Sequence, residues 1–266
     1  MELLCPICRR LLTKNEHSWC CPARHSFDIA RQGYVNLLTV QQKHSLNPGD
    51  TRDQVLARRS FLEGGYYAPI ADMLCDLARK HNCIGPILDV GCGEGYYSAR
   101  LAAALDAPLI GLDISKEAVR CAAGRYKDAL WLCATAAQLP VAAHSIGLVT
   151  SLFSLTAAEA FHTVLKPEGA FIQVLAQPDH LLGLKSVIYP ELFRKPKETT
   201  PEIPGFSLAE SVPLRFSFTV EGEQIENLLS MTPHFWRISA EGAKRLKETE
   251  VLTDTASCVG NVYRPL

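Results

Sequence analysis

The sequence predicts a doubly wound, mostly parallel, seven-stranded Rossmann-like α/β sheet preceded by a small N-terminal metal-binding module, within 266 residues. Three observations carry this prediction. Apolar runs of strand length alternate with segments of helical apolar spacing between residues 70 and 175. Three alternating glycines, Gly91, Gly93 and Gly95, stand between the first of those runs and the first helix after it. Cysteine and histidine are also paired at short spacing near the start, as Cys5 with Cys8 and Cys21 with His25. The length suits one α/β domain of about 200 residues with a small appended module.

Residues 1–35 read as the module. Cys5-Pro6-Ile7-Cys8 is followed after twelve residues by Cys21 and after three more by His25, a Cys3His pattern for zinc. Zinc takes tetrahedral thiolate and imidazole ligands, and two tight turns converging on one ion leave no open position for substrate. The site is therefore expected to be structural, because about 35 residues bury too little apolar surface to fold without a staple. Cys20 adjoins Cys21 and is a sterically possible substitute; Cys21 is preferred because it makes Cys-x3-His with His25.

Residues 36–69 read as a basic connecting arm, helical from Asp50 to Leu62 and capped by Asp50 or Thr51. The third unit is 70–266. Its parallel strands are expected at 86–90, 108–112, 129–133, 146–152 and 170–175, with helices at 70–81, 95–105, 115–125 and 156–164. Val212 to Val220 and Glu250 to Val262 read as closing antiparallel strands around a helix at 222–230, and 195–204 reads as a Pro/Thr/Lys/Glu-rich loop.

The glycines of Asp89-Val90-Gly91-Cys92-Gly93-Glu94-Gly95 would let backbone approach a ligand and adopt positive φ at a strand-to-helix turn. Their Asp-x-Gly-x-Gly-x-Gly spacing differs from the Gly-x-Gly-x-x-Gly that grips a pyrophosphate, which points away from NAD. Asp113, at the tip of the next strand, is placed to accept two ribose hydroxyl protons. Ligands in such sheets bind beyond the carboxyl ends of the strands, which gathers Gly91, Gly93, Glu94, Asp113, Ala136 and Phe153 around one crevice.

Composition fits a cytoplasmic protein. Cys75, Cys83, Cys92, Cys121, Cys133 and Cys258 are dispersed in apolar or helical settings and read as reduced thiols. No apolar run approaches the ~20 residues of a membrane span, and the N-terminus lacks a signal-peptide pattern. Net charge is −1, but residues 1–60 carry nine Lys/Arg against five acids, while the remainder carries 18 bases and 23 acids. A basic first quarter on an acidic body suggests that a polyanion docks on the module and arm. Trp19, Phe27 and Tyr34 lie among those bases and could stack on unpaired nucleobases, although Phe27 and Tyr34 read better as the module's own core.

The glycine loop and Asp113 resemble motifs I and II of the class I S-adenosylmethionine-dependent methyltransferases, and Leu165-Lys166-Pro167-Glu168-Gly169 before Ala170 to Val174 resembles their late turn-and-strand motif. A narrower resemblance covers nearly the whole chain. The zinc motif, Gly33-Tyr34-Val35-Asn36-Leu37-Leu38, Pro48-Gly49-Asp50, Ala57-Arg58-Arg59-x-Phe61-Leu62, the glycine loop with Tyr96-Tyr97, and Met231-Thr232-Pro233-x-x-Trp236 follow one another as in the bacterial 23S rRNA (guanine-N1)-methyltransferases. That resemblance implies S-adenosylmethionine as methyl donor, structural zinc, and a guanine in a 23S rRNA hairpin near the peptide exit tunnel, where macrolide-type antibiotics bind. It also implies a homodimer, and cofactor contacts at Tyr67 and at His180 in Pro178-Asp179-His180-Leu181.

The implied chemistry is an in-line attack of guanine N1 on the sulfonium methyl, accelerated mainly by alignment and desolvation. N1 is protonated at neutral pH, so a carboxylate or neutral histidine is wanted. Asp179 and His180 are the candidates, with cofactor contact preferred for His180. The fourth strand lacks the family's opening acid and its Ala/Ser-Pro ending, placing Leu155 where base positioning, target or activity would change. A small-molecule methyltransferase would share the cofactor features without needing the zinc module. A non-catalytic rRNA-binding factor would fit the altered fourth motif, but not the intact Asp89, glycines and Asp113.

Overall fold

Apolar runs that lack alternation become strands covered on both faces, and Ile87–Val90 is buried at every position in the computed structural model, which describes residues 2–43, 45–192 and 197–266. The N-terminal module is a small antiparallel sheet of β1 (Leu3–Leu4), β2 (Leu11–Lys14), β3 (Ser18–Cys20) and β4 (Ser26–Asp28) in that order. Next come β5 (Val35–Asn36), α1 (Arg52–Glu63) and α2 (Ala68–Lys80). The alternating region follows as β6 (Ile87–Val90), α3 (Tyr96–Leu105), β7 (Leu109–Asp113), α4 (Lys116–Arg125), β8 (Leu130–Cys133), β9 (Ile146–Leu152), α5 (Ala158–Val164) and β10 (Leu165–Ala176). The chain closes with α6 (Leu182–Ile188), β11 (Phe206–Glu221), α7 (Glu223–Ser230), α8 (Ala240–Lys247) and β12 (Val251–Pro265).

The large sheet runs β11-β12-β10-β9-β6-β7-β8-β5, with β12 antiparallel to both neighbours and β5 through β10 mutually parallel where paired. All seven expected strands are present, joined by an eighth, β5, which pairs with β8 at the edge. The boundary expected at residue 35 therefore falls inside a strand of the large sheet. Two short helices, α6 and α8, were not foreseen. The loop expected at 195–204 begins outside the described residues at 195–196.

Strand order reverses around β6, whose neighbours β7 and β9 lead to opposite sides of the sheet. A crevice opens beyond the carboxyl ends of strands at such a point. One face of the sheet is packed by α2, α3 and α4 through Leu74, Leu77, Leu101 and Val119, in one core with the fully buried Trp131 of β8. The opposite face buries Phe161 and Phe171 together with Leu3, Leu12 and Cys21 of the module. The module is thus docked by shared core as well as by backbone: Leu3 bridges Val141, the Leu4 N–H donates to Pro140 O at 3.0 Å, and Arg9 Nη1 donates to Leu139 O at 3.0 Å.

Thr51 caps α1, accepting from the Gln54 N–H while the Gln54 side chain returns to the Thr51 N–H. Asp50 is left free to bind Arg58 nearly two turns into the helix, at 2.8 Å. The helix then packs against α7, with Gln224 donating to Ser60 at 3.0 Å, which fixes it across the mouth of the crevice.

Candidate active site and metal centre

The zinc ligands come from two turns of the same design. Cys5 N–H donates to Arg10 O and Arg9 N–H returns to Cys5 O; Cys21 N–H donates to His25 O and Arg24 N–H returns to Cys21 O. Arg9 and Arg24 occupy left-handed backbone in the two turns, at φ 60° and 65°. The four ligand atoms lie within 4.8 Å of one another, with Cys5 Sγ and Cys21 Sγ each 3.4 Å from His25 Nδ1 and Cys8 Sγ 3.6 Å from Cys21 Sγ. A tetrahedron with bonds of about 2.3 Å to sulfur and about 2.0 Å to nitrogen has edges of about 3.5–3.8 Å, so the donor set fits a structural zinc ion. Cys20 is excluded as a ligand: its thiol turns to Ser18 and Ser26 at 3.4 and 3.3 Å. Tyr34 is buried in the core, and Trp19 pairs across β3 and β4 with Phe27, both partly covered by the sheet's second core.

The glycine loop sits where it was expected, beyond β6. Gly91, Gly93, Glu94 and Asp113 line a cavity of about 200 Å³, roofed by Gly49, Asp50 and Arg58 from the arm and by Phe153 and Ser154. Asp113 accepts the Gly93 N–H at 2.9 Å and the Ser115 N–H at 2.8 Å, which ties the loop to the next strand. Asp89 is buried beneath, accepting from Ser98 and, at 2.8 Å, from Thr150; burial pushes its carboxyl up to about 6 despite those hydrogen bonds. Asp113 therefore braces the loop, Asp89 ties β6 to α3 and β9, and both line the cavity. Gly91 has φ +80°, and a Cβ there would meet Ser154 Oγ at 2.1 Å, so this backbone approach admits only glycine.

One expected cofactor-loop glycine, Gly95, and one expected crevice residue, Ala136, lie elsewhere. Gly95 does not line the cavity: it has φ +88°, and an added Cβ would strike Trp131 at 2.6 Å. It lets α3 pack on the sheet, which is a different use of the same motif. Ala136 is buried in the core on the module's side.

Four polar atoms of residues lining the small cavity are buried without a protein partner: Arg58 Nε, Glu94 Oε2, Tyr96 Oη and Tyr97 Oη. Such atoms are rare in finished structures and mark where a ligand or water completes the bonding. Glu94 is otherwise held by the Tyr96 N–H at 3.2 Å, and burial raises its pKa. An acceptor, a donor and two phenols around a glycine-bounded cavity suit a zwitterionic amino-acid group attached to a nucleoside.

A second cavity of about 950 Å³ adjoins the first, and Arg58, Phe153 and Ser154 line both. Tyr67 and His180 meet here. The Ser257 N–H donates to His180 Nδ1 at 3.1 Å, so the neutral ring carries its proton on Nε2, 3.4 Å from Tyr67 Oη. Burial, reinforced by Lys185, pushes His180 down to about 4, and burial pushes the Tyr67 phenol up. His180 is therefore neutral with both nitrogens engaged, which suits a fixed wall and not a base. Its ring stacks on Phe153 with centroids 6.0 Å apart.

Asp179, the candidate base, lines neither cavity, and its carboxylate is paired with Arg215 of β11. Leu155 also lines neither cavity and is exposed; Ser151 Oγ donates to Leu155 O at 2.9 Å, and the turn instead presents Phe153, at φ 51°. Sequence reasoning did not single out Arg58 from its motif, or Tyr189 and His234, which line the larger cavity with Lys185, Lys197 and Arg237. The Met231-Thr232-Pro233-x-x-Trp236 motif pointed to the right segment, but His234 occupies one of its unspecified places.

Comparison with known proteins agrees with this architecture. The family model described as "RlmA, N-terminal", a zinc ribbon, matches residues 3–46, and "Methyltransferase domain" matches 87–169. The 23S rRNA (guanine(748)-N(1))-methyltransferase of Streptomyces fradiae is 31% identical over 274 residues, covering 99% of this chain and 97% of that protein. YxjB of Bacillus subtilis (strain 168), provisionally named a 23S rRNA (guanine-N(1)-)-methyltransferase, is 32% identical, covering 92% of this chain and 90% of its own. A Micromonospora griseorubida protein with the same provisional name is 36% identical across 69% of this chain and 68% of its own. With matches of that extent on a Cys3His cluster and a cofactor-type glycine loop, the chain belongs to the bacterial 23S rRNA (guanine-N1)-methyltransferase family.

Proposed function

We propose that this protein methylates N1 of a guanine in a hairpin loop of 23S rRNA near the peptide exit tunnel, with S-adenosylmethionine as donor. The observation that carries the reading is the continuity of the two cavities. The small one, with its orphaned Arg58, Glu94, Tyr96 and Tyr97 atoms, suits a nucleoside carrying an amino acid; the large one, open and lined by Lys185, Lys197 and Arg237, suits an unpaired nucleotide and its phosphates.

The donor supplies an electrophilic sulfonium methyl. Tyr67, Asp89, Gly91, Gly93, Glu94, Asp113 and His180 would shape and hold its site, with Arg58 Nε facing its carboxylate. Phe153, at the junction, is placed to stack on the target base and align N1 for in-line attack, and alignment is where most of the acceleration arises. Cys5, Cys8, Cys21 and His25 would hold zinc away from this chemistry. The module at 1–35, with Arg9, Arg10, Lys14 and Arg24, and the arm at 36–69 would guide RNA toward 70–266. Family resemblance supports a homodimer, which sedimentation would test. Among the described residues, no helix is long and apolar enough to cross a membrane.

The test is mass mapping of the exit-tunnel hairpin of 23S rRNA from cells with and without the gene, followed by methylation of the unmodified RNA by the purified protein. The relative from S. fradiae makes position 748 the first to inspect. Loss of one N1-methylguanine and its restoration in vitro is expected. An unchanged hairpin would defeat the proposal.

A further inference from the structure

Methylation at N1 must dispose of a proton, and the expected acceptor, Asp179, is paired with Arg215 and lines neither cavity. The acceptor must line the large cavity, where the base would enter. Among the described residues there, the groups able to take a proton near neutral pH are His180, Glu191 and His234. His180 has both nitrogens engaged, and Glu191 is exposed. His234 differs from both. Its Nδ1 lies 2.9 Å from Tyr189 Oη, and the Tyr189 ring packs edge-on against it, with centroids 5.5 Å apart. The Thr232 hydroxyl accepts the His234 N–H at 3.3 Å and donates to Leu229 O at 2.8 Å, which fixes the short helix Pro233–Trp236 that carries the ring.

We propose that His234 is the general base for the transfer, oriented by Tyr189; this rests on the guanine-N1 reading above. In the reactive tautomer Nδ1–H donates to the Tyr189 oxygen, leaving the Nε2 lone pair to meet N1–H. As N1 bonds to the methyl carbon, the carbon–sulfur bond breaks and its electron pair passes to sulfur. The N1 proton passes to Nε2, and the imidazolium then releases it to solvent. The balance is guanine plus S-adenosylmethionine going to N1-methylguanine, S-adenosylhomocysteine and one proton.

The surroundings keep the ring ready for this role. Burial lowers the His234 pKa, with Lys185 of α6 and Arg237 of its own segment adding in the same sense. Lys197, Arg58 and the carboxylate of Glu191 also face the cavity. The resting ring is neutral and able to accept, and the same cations would draw RNA phosphates in while discouraging a protonated resting state.

The experiment uses the full zinc-loaded chain, S-adenosylmethionine and the unmodified 23S hairpin under single-turnover conditions from pH 5.5 to 9.5. His234→Ala should lose roughly 10²–10⁴-fold in rate near pH 7, with cofactor affinity within about twofold of the parent. Its residual rate should climb about tenfold per pH unit, because N1 must then ionise unaided, and added imidazole should restore part of it. Tyr189→Phe keeps the ring and loses only its partner, so a fall of about tenfold at pH 7 guards against misfolding of the first variant. Rates within threefold of the parent and an unchanged pH profile for His234→Ala would overturn the role of His234. Failure of the parent chain itself to form N1-methylguanine would overturn the reading on which it rests.

Discussion

Gly95→Ala separates a packing glycine from a cofactor glycine within one motif. The new methyl would sit 2.6 Å from Trp131 Cη2, with Tyr126 at 3.1 Å and Ala122 at 3.2 Å behind it. Trp131 cannot swing aside, because Nε1 donates to Tyr126 O at 2.8 Å and the ring also fills the space above Gly111. Left-handed backbone costs an alanine about 1–2 kcal/mol, and forcing a methyl into a packed core costs about 1–3 kcal/mol. The expected loss is about 3 kcal/mol, or on the order of 10 °C in a melt of a domain this size. Gly93→Ala is the counterpart, at φ +56° with nothing nearer than Arg58 Cδ at 3.8 Å. It should cost only about 1 kcal/mol in stability but weaken S-adenosylmethionine by about tenfold, because its methyl enters the cavity. Melting curves and calorimetric titration read the pair. If Gly95→Ala keeps its stability and loses the cofactor, the assignment of Gly95 to packing is wrong.

Removing zinc with a chelator, or Cys8→Ser, should raise amide exchange across 3–28 while β6, β9 and β10 stay protected, since structural zinc is worth about 10–16 kcal/mol to small folds; unchanged exchange would show that the module stands without metal. Acid should separate two opposed buried groups. His180 is lowered from 6.5 to about 4, so the unfolded chain takes the proton first and stability falls between those values by about 3 kcal/mol. Asp89 is raised from 3.8 to about 6, so its protonation gives back a similar amount over nearly the same window. Relative to the parent, His180→Gln should therefore gain stability as pH falls from 6.5 to 4; a variant that keeps the parent slope in urea titrations would contradict this. Asp179→Asn should leave the methylation rate within about twofold and cost about 0–1 kcal/mol, as its partner Arg215 is well exposed; a hundredfold loss would restore it as a catalytic candidate.

The features legible in the sequence were local. Continuous apolar runs fixed β6 through β10, and the short pairs Cys5–Cys8 and Cys21–His25 placed the metal, because both patterns arise within a few residues of backbone. β5 escaped because two residues carry no periodicity, and pairing with β8 is settled by a chain segment nearly a hundred residues away. Gly95 matched the motif by spacing, yet spacing does not say whether a positive-φ glycine faces ligand or tryptophan. Asp179 and His180 are adjacent in sequence, yet only His180 lines the large cavity while Asp179 pairs with Arg215, a distinction that only the path of the chain provides. His234, Tyr189 and Arg58 come from three distant segments whose convergence leaves no local trace.

That convergence changes how the N-terminal quarter is understood. The arm roofs the small cavity as well as tethering the module, since Ser115 Oγ donates to Asp50 O at 2.7 Å and seats Gly49 and Asp50 over it. Arg58 then spans from Asp50 to Met231 O, at 2.8 and 3.5 Å, linking the arm to the segment that carries His234. Its buried Nε lacks a partner, and a charged donor of that kind gains about 1.5–3 kcal/mol when an acceptor arrives. Arg58→Met, which keeps the stem and removes the donors, should therefore raise the S-adenosylmethionine Kd by roughly 10–100-fold. It should also slow methyl transfer, because the cofactor's far end and the proton acceptor would no longer share one brace. Unaltered affinity in calorimetry would mean that α1 merely covers the crevice and that the orphaned nitrogen is met by water.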